Sequence, residues 1–272
     1  MISVLNSVSQ LGAENALSST QASLQNTLLE LSTGLKINSG ADDAAGLSIA
    51  AGLGANIAAL TQSSQNASNG VSLLQTADGA LSQVTSLLNQ AVTLATEAAN
   101  GQLTAAQSTA ANTAYQSILA EITQIGSTTS FNGTGVFSAT PVTTFTSDGT
   151  AGGTTTTTTL IGALSSTTLA LNGTSLSSIA NATAALTAVT AAISAVSATR
   201  GTIGASVNQL TADTSVQNTE VTNLSSAQNT VQNADIGTTV AKMTQYNVLE
   251  QTGMAALSQS NQAEQAILKL LQ

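Results

Sequence analysis

Residues able to do chemistry are scarce in this 272-residue chain. Asp42 and Asp43 stand side by side, and an adjacent carboxylate pair can hold a divalent metal or divide acid and base roles between its members. A catalytic pair needs further partners, and the neighbouring sequence offers none. The same two residues serve as an acidic cap just ahead of a helix that begins near Ala44, where negative charge meets the positive end of the helix dipole. The chain has no His and no Cys, so the commonest metal ligand, the commonest general base and the thiolate nucleophile are all missing. Zinc sites, Ser-His-Asp triads, Cys-His catalysis and disulfides are thereby excluded. We assign no catalytic, cofactor-binding or metal-binding residue, expect no cofactor and expect no enzyme activity.

The charges that remain are few and lopsided. Charged residues make up 6% of the chain, 4 basic against 13 acidic, for a net charge of -9. Sequence-independent nucleic-acid binding depends on Lys and Arg neutralising phosphates, so nucleic acid is not an expected partner. Lys36, Arg200, Lys242 and Lys269 are the whole basic inventory, and each has acids enough to pair with inside or between subunits. The N-terminus lacks a basic region followed by an apolar run, so no cleaved signal peptide is expected. No uninterrupted run of about 18 apolar residues predicts a membrane span.

Helices must do the positioning. Aromatics are 2% and Pro141 is the single proline, so an alanine-rich, weakly charged chain is left free to form long helices packed closely on one another. From Ile57 to Ala95 positions spaced alternately three and four apart read Ile, Leu, Ser, Ala, Val, Leu, Asp, Leu, Thr, Leu, Val, Ala, of which nine of twelve are apolar. That is a coiled-coil period with small residues in the seam, and Asp78 within it marks a bend, a polar contact or a register break. Asn100-Gly101 reads as a helix stop. A return helix follows from about Thr104 to Gly126 with Tyr115, Ile118 and Ile122 on its stripe. A third seam runs from Leu186 to Leu224, interrupted at Arg200, Thr214 and Gln217. Between these lie all three Phe, Asn172-Gly173 and the run Thr154 to Thr159. This reads as a small β region with loops, and the threonine run fits a strand and a solvated loop equally. Both ends are amphipathic. Leu5, Val8, Leu24, Leu28 and Leu31 lie on one, Leu249, Leu257, Ile267, Leu268 and Leu271 on the other. Neither apolar face has a core of its own, which predicts burial against the other end or against other subunits.

The stretch LSTGLKINSGADDAAGLSIA from Leu31, LTQSSQNASNGVSLLQTADGAL from Leu60 and FNGTGVF from Phe131 resemble the N-terminal region of bacterial flagellin, and the run from Ala227 to Leu271 resembles its C-terminal region. The likeness covers nearly all of residues 1–137 and about 185–272, in collinear order. It implies a mainly α fold: a long antiparallel helical bundle and coiled coil with a small β-hairpin region mid-chain. Residues 1–40 with 235–272 would form the inner coiled-coil domain, 41–137 with 181–234 a helical rod, and 138–180 a small β and loop region with no large outer domain. The implied function is that of a subunit polymerising into the extracellular flagellar filament. A hook-filament junction protein, and a minor secreted flagellin acting as adhesin or immune ligand, are the alternatives. Implied partners are further copies of the chain, an export chaperone, a filament cap and hook-junction proteins. Export would follow the flagellar type III route, for which the lack of Cys and near-lack of Pro suit unfolded threading. The segment Leu88 to Leu94 aligns with the part of flagellin gripped by the flagellin-sensing Toll-like receptor. Gln90 and Val92 stand where that recognition uses basic residues, while Leu94 is retained, so the expectation is weak or no activation.

Overall fold

The structure is a computed structural model describing residues 2–147 and 154–270. The chain resolves into two compact units, one of Met1–Ala55 with Asn223–Gln272 and one of Asn56–Thr222. Helix α1 (Ile2–Thr33) and helix α5 (Ile236–Leu270) belong to the first unit, α3 (Ala105–Thr128) to the second, and α2 (Ala44–Ala99) and α4 (Ile179–Gln232) contribute to both.

Ser and Thr hydroxyls compete for backbone groups and so weaken a helix where they are not satisfied within it. Here the hydroxyls bond inside the helix instead. Thr61 Oγ1 donates to the Ile57 carbonyl at 2.7 Å, and Thr190, Thr211 and Thr214 of α4 do the same to Leu186, Val207 and Leu210. This pairing with the carbonyl four residues back leaves the helical ladder intact and satisfies each hydroxyl locally.

The second unit holds the larger core. Leu60, Ala67, Leu74, Leu81, Leu88 and Ala95 of the expected α2 seam are buried, while the alternate members Ser64, Val71, Asp78, Thr85 and Val92 are only half-buried. Ala77, Val84, Ala91 and Ala98 are buried in their place. The stripe is rotated and widened relative to a two-helix seam because residues of α3 and α4 join the same cluster, among them Tyr115, Ile122, Val189 and Val196. Along α4 burial changes period. Ala182, Ala185, Val189, Ala192 and Val196 are buried at three-four spacing, then only Ile203, Leu210 and Gln217 at intervals of seven. Both α2 and α4 contain 18-residue windows apolar enough, by length and composition, to cross a membrane, with mean hydropathy of 1.5 and 1.6. The sequence expectation looked for unbroken apolar runs and missed these mixed windows, of which 17% in α2 and 28% in α4 is buried.

Helix α3 starts on a capping box. Thr104 Oγ1 accepts from the Gln107 amide nitrogen at 3.4 Å, and the Gln107 side chain accepts from the Thr104 N–H at 2.9 Å. Asn132 and Gly133, both at positive φ, turn the short pair β1 (Ser130–Phe131) and β2 (Thr134–Gly135). A second antiparallel pair, β3 (Val142–Ser147) with β4 (Thr154–Thr159), makes the threonine run a strand rather than a loop. Thr144, Thr146, Thr157 and Thr159 are its buried face. Asn172-Gly173 turns the chain without making a hairpin. It lies in an irregular strap over 160–178, where Ile161, Leu164, Leu171 and Leu176 are buried. Side chains of α3 hold that strap: Tyr115 Oη lies 2.7 Å from Thr174 Oγ1, and Asn112 Oδ1 accepts from the Leu176 N–H at 2.7 Å.

Candidate self-assembly surface

In the first unit α1 and α5 run antiparallel, tied by Gln10 Nε2 to Asn261 Oδ1 at 2.8 Å and Gln21 Nε2 to Glu250 Oε1 at 3.1 Å. Ala13, Leu17, Thr20, Leu24 and Leu31 of α1 are half-buried and, with buried Thr27, follow three-four spacing, as do half-buried Met243, Tyr246, Glu250, Gly253 and Leu257 of α5. Gly253 marks a close approach, since a Cβ there would sit 3.3 Å from Leu17 Cδ1. Among the described side chains of these two helices only Thr27 and Thr239 are fully buried. A pair of helices can cover one stripe of each and no more. Val8 is 62% exposed, Leu28 46% and Leu249 45%, and Leu11, Leu29, Val248 and Met254 share that fate.

The site residues named from sequence therefore divide. Leu24, Leu31 and Leu257 lie in the seam within the chain, and Val8, Leu28 and Leu249 stay open to solvent. The side chains of Leu5, Ile267 and Leu268, and the whole of Leu271, lie outside the described residues.

Between α1 and α2 the chain makes a tight crossing. Gly34, at φ 72°, ends α1 and accepts from the Ala234 N–H at 3.0 Å, while the Lys36 N–H donates to the Gln232 carbonyl at 2.7 Å. The two aspartates act differently. Asp43 Oδ1 accepts from the N–H groups of Ala45 and Gly46 at 3.0 and 2.9 Å, an N-cap of α2. Asp42 does not cap the helix: its Oδ2 accepts from the N–H groups of Asn38 and Ser39 at 3.0 and 2.8 Å and closes the preceding turn. The backbone bonds from Ser39 and Asn38 hold the Asp42 carboxyl below the usual carboxylate range. Adjacent carboxylates aimed at opposite neighbours do not converge on a metal or substrate.

Asp78 and Arg200, the two charged interruptions of the helical seams, meet in a forked pair with Nε–Oδ1 at 2.7 Å and Nη2–Oδ2 at 3.2 Å. The hydrogen bond from Arg200 lowers the Asp78 carboxyl, and the reciprocal bond raises the guanidinium. Sequence reasoning flagged each interruption; it had no signal for their partnership, which depends on the antiparallel register of α2 and α4. In the segment aligned with the receptor-gripped region, Leu88 is fully buried, Gln90 is exposed, and Val92 and Leu94 are half-buried against the core.

Among the described residues no three of His, Cys, Asp and Glu gather where they could hold a metal. Long back-bonded helices and a terminal pair with one apolar face uncovered define a helical protein with apolar surface left for packing. The family model for the bacterial flagellin N-terminal helical region matches residues 4–141, and that for the C-terminal helical region matches residues 186–271. The chain belongs to the bacterial flagellin family and is a structural subunit of the flagellar filament, whose general role is motility. It is 34% identical over 248 residues to a flagellin of Halalkalibacterium halodurans, covering 91% of each chain. It is 30% identical over 281 residues to the flagellar filament 33 kDa core protein of Treponema phagedenis, covering 98% of each. A crystal structure of Bacillus cereus flagellin matches 56% of this chain and 88% of that one at 28% identity, with a TM-score of 0.49.

Proposed function

We propose that the open face of the terminal unit is the surface on which copies of this chain pack into the filament. The carrying observation is that Val8, Leu28 and Leu249 remain about half exposed or more on helices whose own seam is already paired. Burying a large aliphatic side chain is worth roughly 1.5–3 kcal/mol, so half-covered leucines repeated in every subunit retain of order 1 kcal/mol each for assembly. Contacts of this kind are heterologous and open, which generates a helical tube instead of a closed ring. Leu5, Ile267, Leu268 and Leu271 extend the same amphipathic pattern and are assigned to the same packing. By this reading residues 1–40 with 235–272 supply the filament core and 41–137 with 181–234 the surrounding rod. The chain reaches the extracellular filament through the flagellar export route. An export chaperone, a filament cap and hook-junction proteins are its passing partners. It performs no catalysis. Recognition by the flagellin-sensing Toll-like receptor is weak, since Gln90 supplies no charge-assisted hydrogen bond.

Replacement on the open face tests the packing assignment. Val8→Gln, Leu28→Gln and Leu249→Gln should each leave the helix content of the soluble chain unchanged by circular dichroism and sharply reduce seeded filament growth. Growth at the native rate in all three would defeat it.

A further inference from the structure

The β3–β4 hairpin has one covered edge and one open edge. The Ser147 N–H donates to Ser63 Oγ at 2.8 Å, and the Asn66 amide donates to the Phe145 carbonyl at 3.4 Å, so backbone groups at alternate residues of β3 turn toward α2. Register pairs Phe145 with Thr156, Ser147 with Thr154 and Thr143 with Thr158. Residues opposite one another in an antiparallel pair either exchange both hydrogen bonds or turn both away from each other. The N–H and C=O groups of Thr154, Thr156 and Thr158 therefore point out of the hairpin along the far side of β4. Among the described residues nothing bonds those of Thr156 and Thr158. Folded proteins guard such edges with Lys, Pro, bulges or a covering element. This one has six threonines in a row.

We propose that the open edge of β4 is a docking surface for β4 of a second copy of this chain, the two strands pairing antiparallel across a two-fold axis. Composition selects that occupant. A strand of six identical residues reads the same in both directions, so it is complementary to itself in antiparallel pairing and no side chain forbids a shifted register. Between Glu121 and Arg200 the only charged residue is Asp148, in a chain of net charge -9. Two such chains repel each other least where that charge is absent. The edge offers no charge to select a partner of different chemistry, and the exposed apolar side chains nearest it are Phe145 of β3 and Leu160 just past β4. The contact closes on itself, unlike the open contacts that build a filament, so it joins subunits that the filament lattice does not. Filaments carrying it associate laterally.

The natural absence of Cys gives a clean test on the soluble full-length chain, independent of whether filaments grow. Opposed residues in a hydrogen-bonded antiparallel pair lie about 5.5 Å apart at Cα, within disulfide range. Under mild oxidation Thr156→Cys should form a linked dimer more than about tenfold faster than Thr211→Cys on the exposed face of α4, because pairing raises the effective thiol concentration. Adding Thr158→Val, which keeps the backbone donor, should preserve that rate. Adding Thr158→Pro removes the outward N–H without removing a ladder bond to β3, and Thr158→Lys adds charge; either should return the rate to that of Thr211→Cys. A Thr156→Cys rate no faster than Thr211→Cys, or one untouched by both Pro and Lys, overturns the proposal. Failure of the filament reading would show separately, as absence of filaments from the seeded native chain.

Discussion

Asp43 and Gly126 show how much single positions settle. Loss of an N-cap carboxylate costs about 0.5–2 kcal/mol, so Asp43→Ala should lower the urea midpoint of the first unit, with Asp43→Asn recovering most of the loss. Gly126 is buried in α3, where a Cβ would run into the carbonyl oxygen of Leu164 in the strap. Gly126→Ala should destabilise by roughly 1–3 kcal/mol through overpacking, whereas Gly79→Ala, with open space around it, should gain about 0.5–1 kcal/mol from helix propensity. Urea denaturation of the two variants side by side checks the difference in sign. The Asp78–Arg200 pair is a smaller matter, because the Arg200 side chain keeps 37% and the Asp78 side chain 41% exposure. A carboxyl lowered in the fold contributes stability above its unfolded pKa and loses it as pH falls through the folded value. Asp78→Asn should therefore cost no more than about 1 kcal/mol at neutral pH and nothing once the native carboxyl is protonated, below the usual carboxylate range. A stability difference that persists in strong acid would contradict that origin. At this scale the sequence was half legible. An acidic pair before a helix is visible in the residues, but which aspartate faces forward and which backward depends on the turn at Asn38 and Ser39.

Elements were more legible, for a physical reason. Long Pro-free stretches with a three-four apolar period constrain each helix locally, and the observed α3 and α4 begin and end within a few residues or one to two turns of their predicted limits. The exact stripe on α2 was not recoverable, because whether Ala77 or Asp78 faces inward depends on how many helices share the core. The threonine run gave strand and loop equal support; pairing with β3 decides it, and that pairing is non-local. The strap over 160–178 carried no periodic signal at all, since its order comes from α3 side chains such as Asn112 and Tyr115. Burial pushes the Tyr115 hydroxyl above its ordinary pKa, and its bond to Thr174 acts the other way. Tyr115→Phe should cost about 0.5–1.5 kcal/mol in thermal or urea denaturation while leaving helix content unchanged. An unchanged midpoint would mean that the strap is held by its leucines alone.

The whole molecule joins a well-filled unit to a thinly packed one. Residues 56–222 contribute most of the buried side chains, while the terminal pair half-buries one largely apolar seam and leaves other large aliphatics exposed. A chain with 6% charged residues has little electrostatic glue to offer a neighbour, so filament stability should depend weakly on salt. Steep dissociation between low and physiological ionic strength would contradict packing by apolar and small residues. The poverty of aromatics, charges, His and Cys, which leaves so little chemistry, suits a subunit whose remaining burial lies in other copies. Amide hydrogen exchange compared between the soluble chain and the assembled filament tests that most directly. The account predicts rapid exchange across α1 and α5 in the soluble chain, strong protection of both in the filament, and little change in α3. Filaments in which α1 and α5 exchange as fast as in the soluble chain would contradict it.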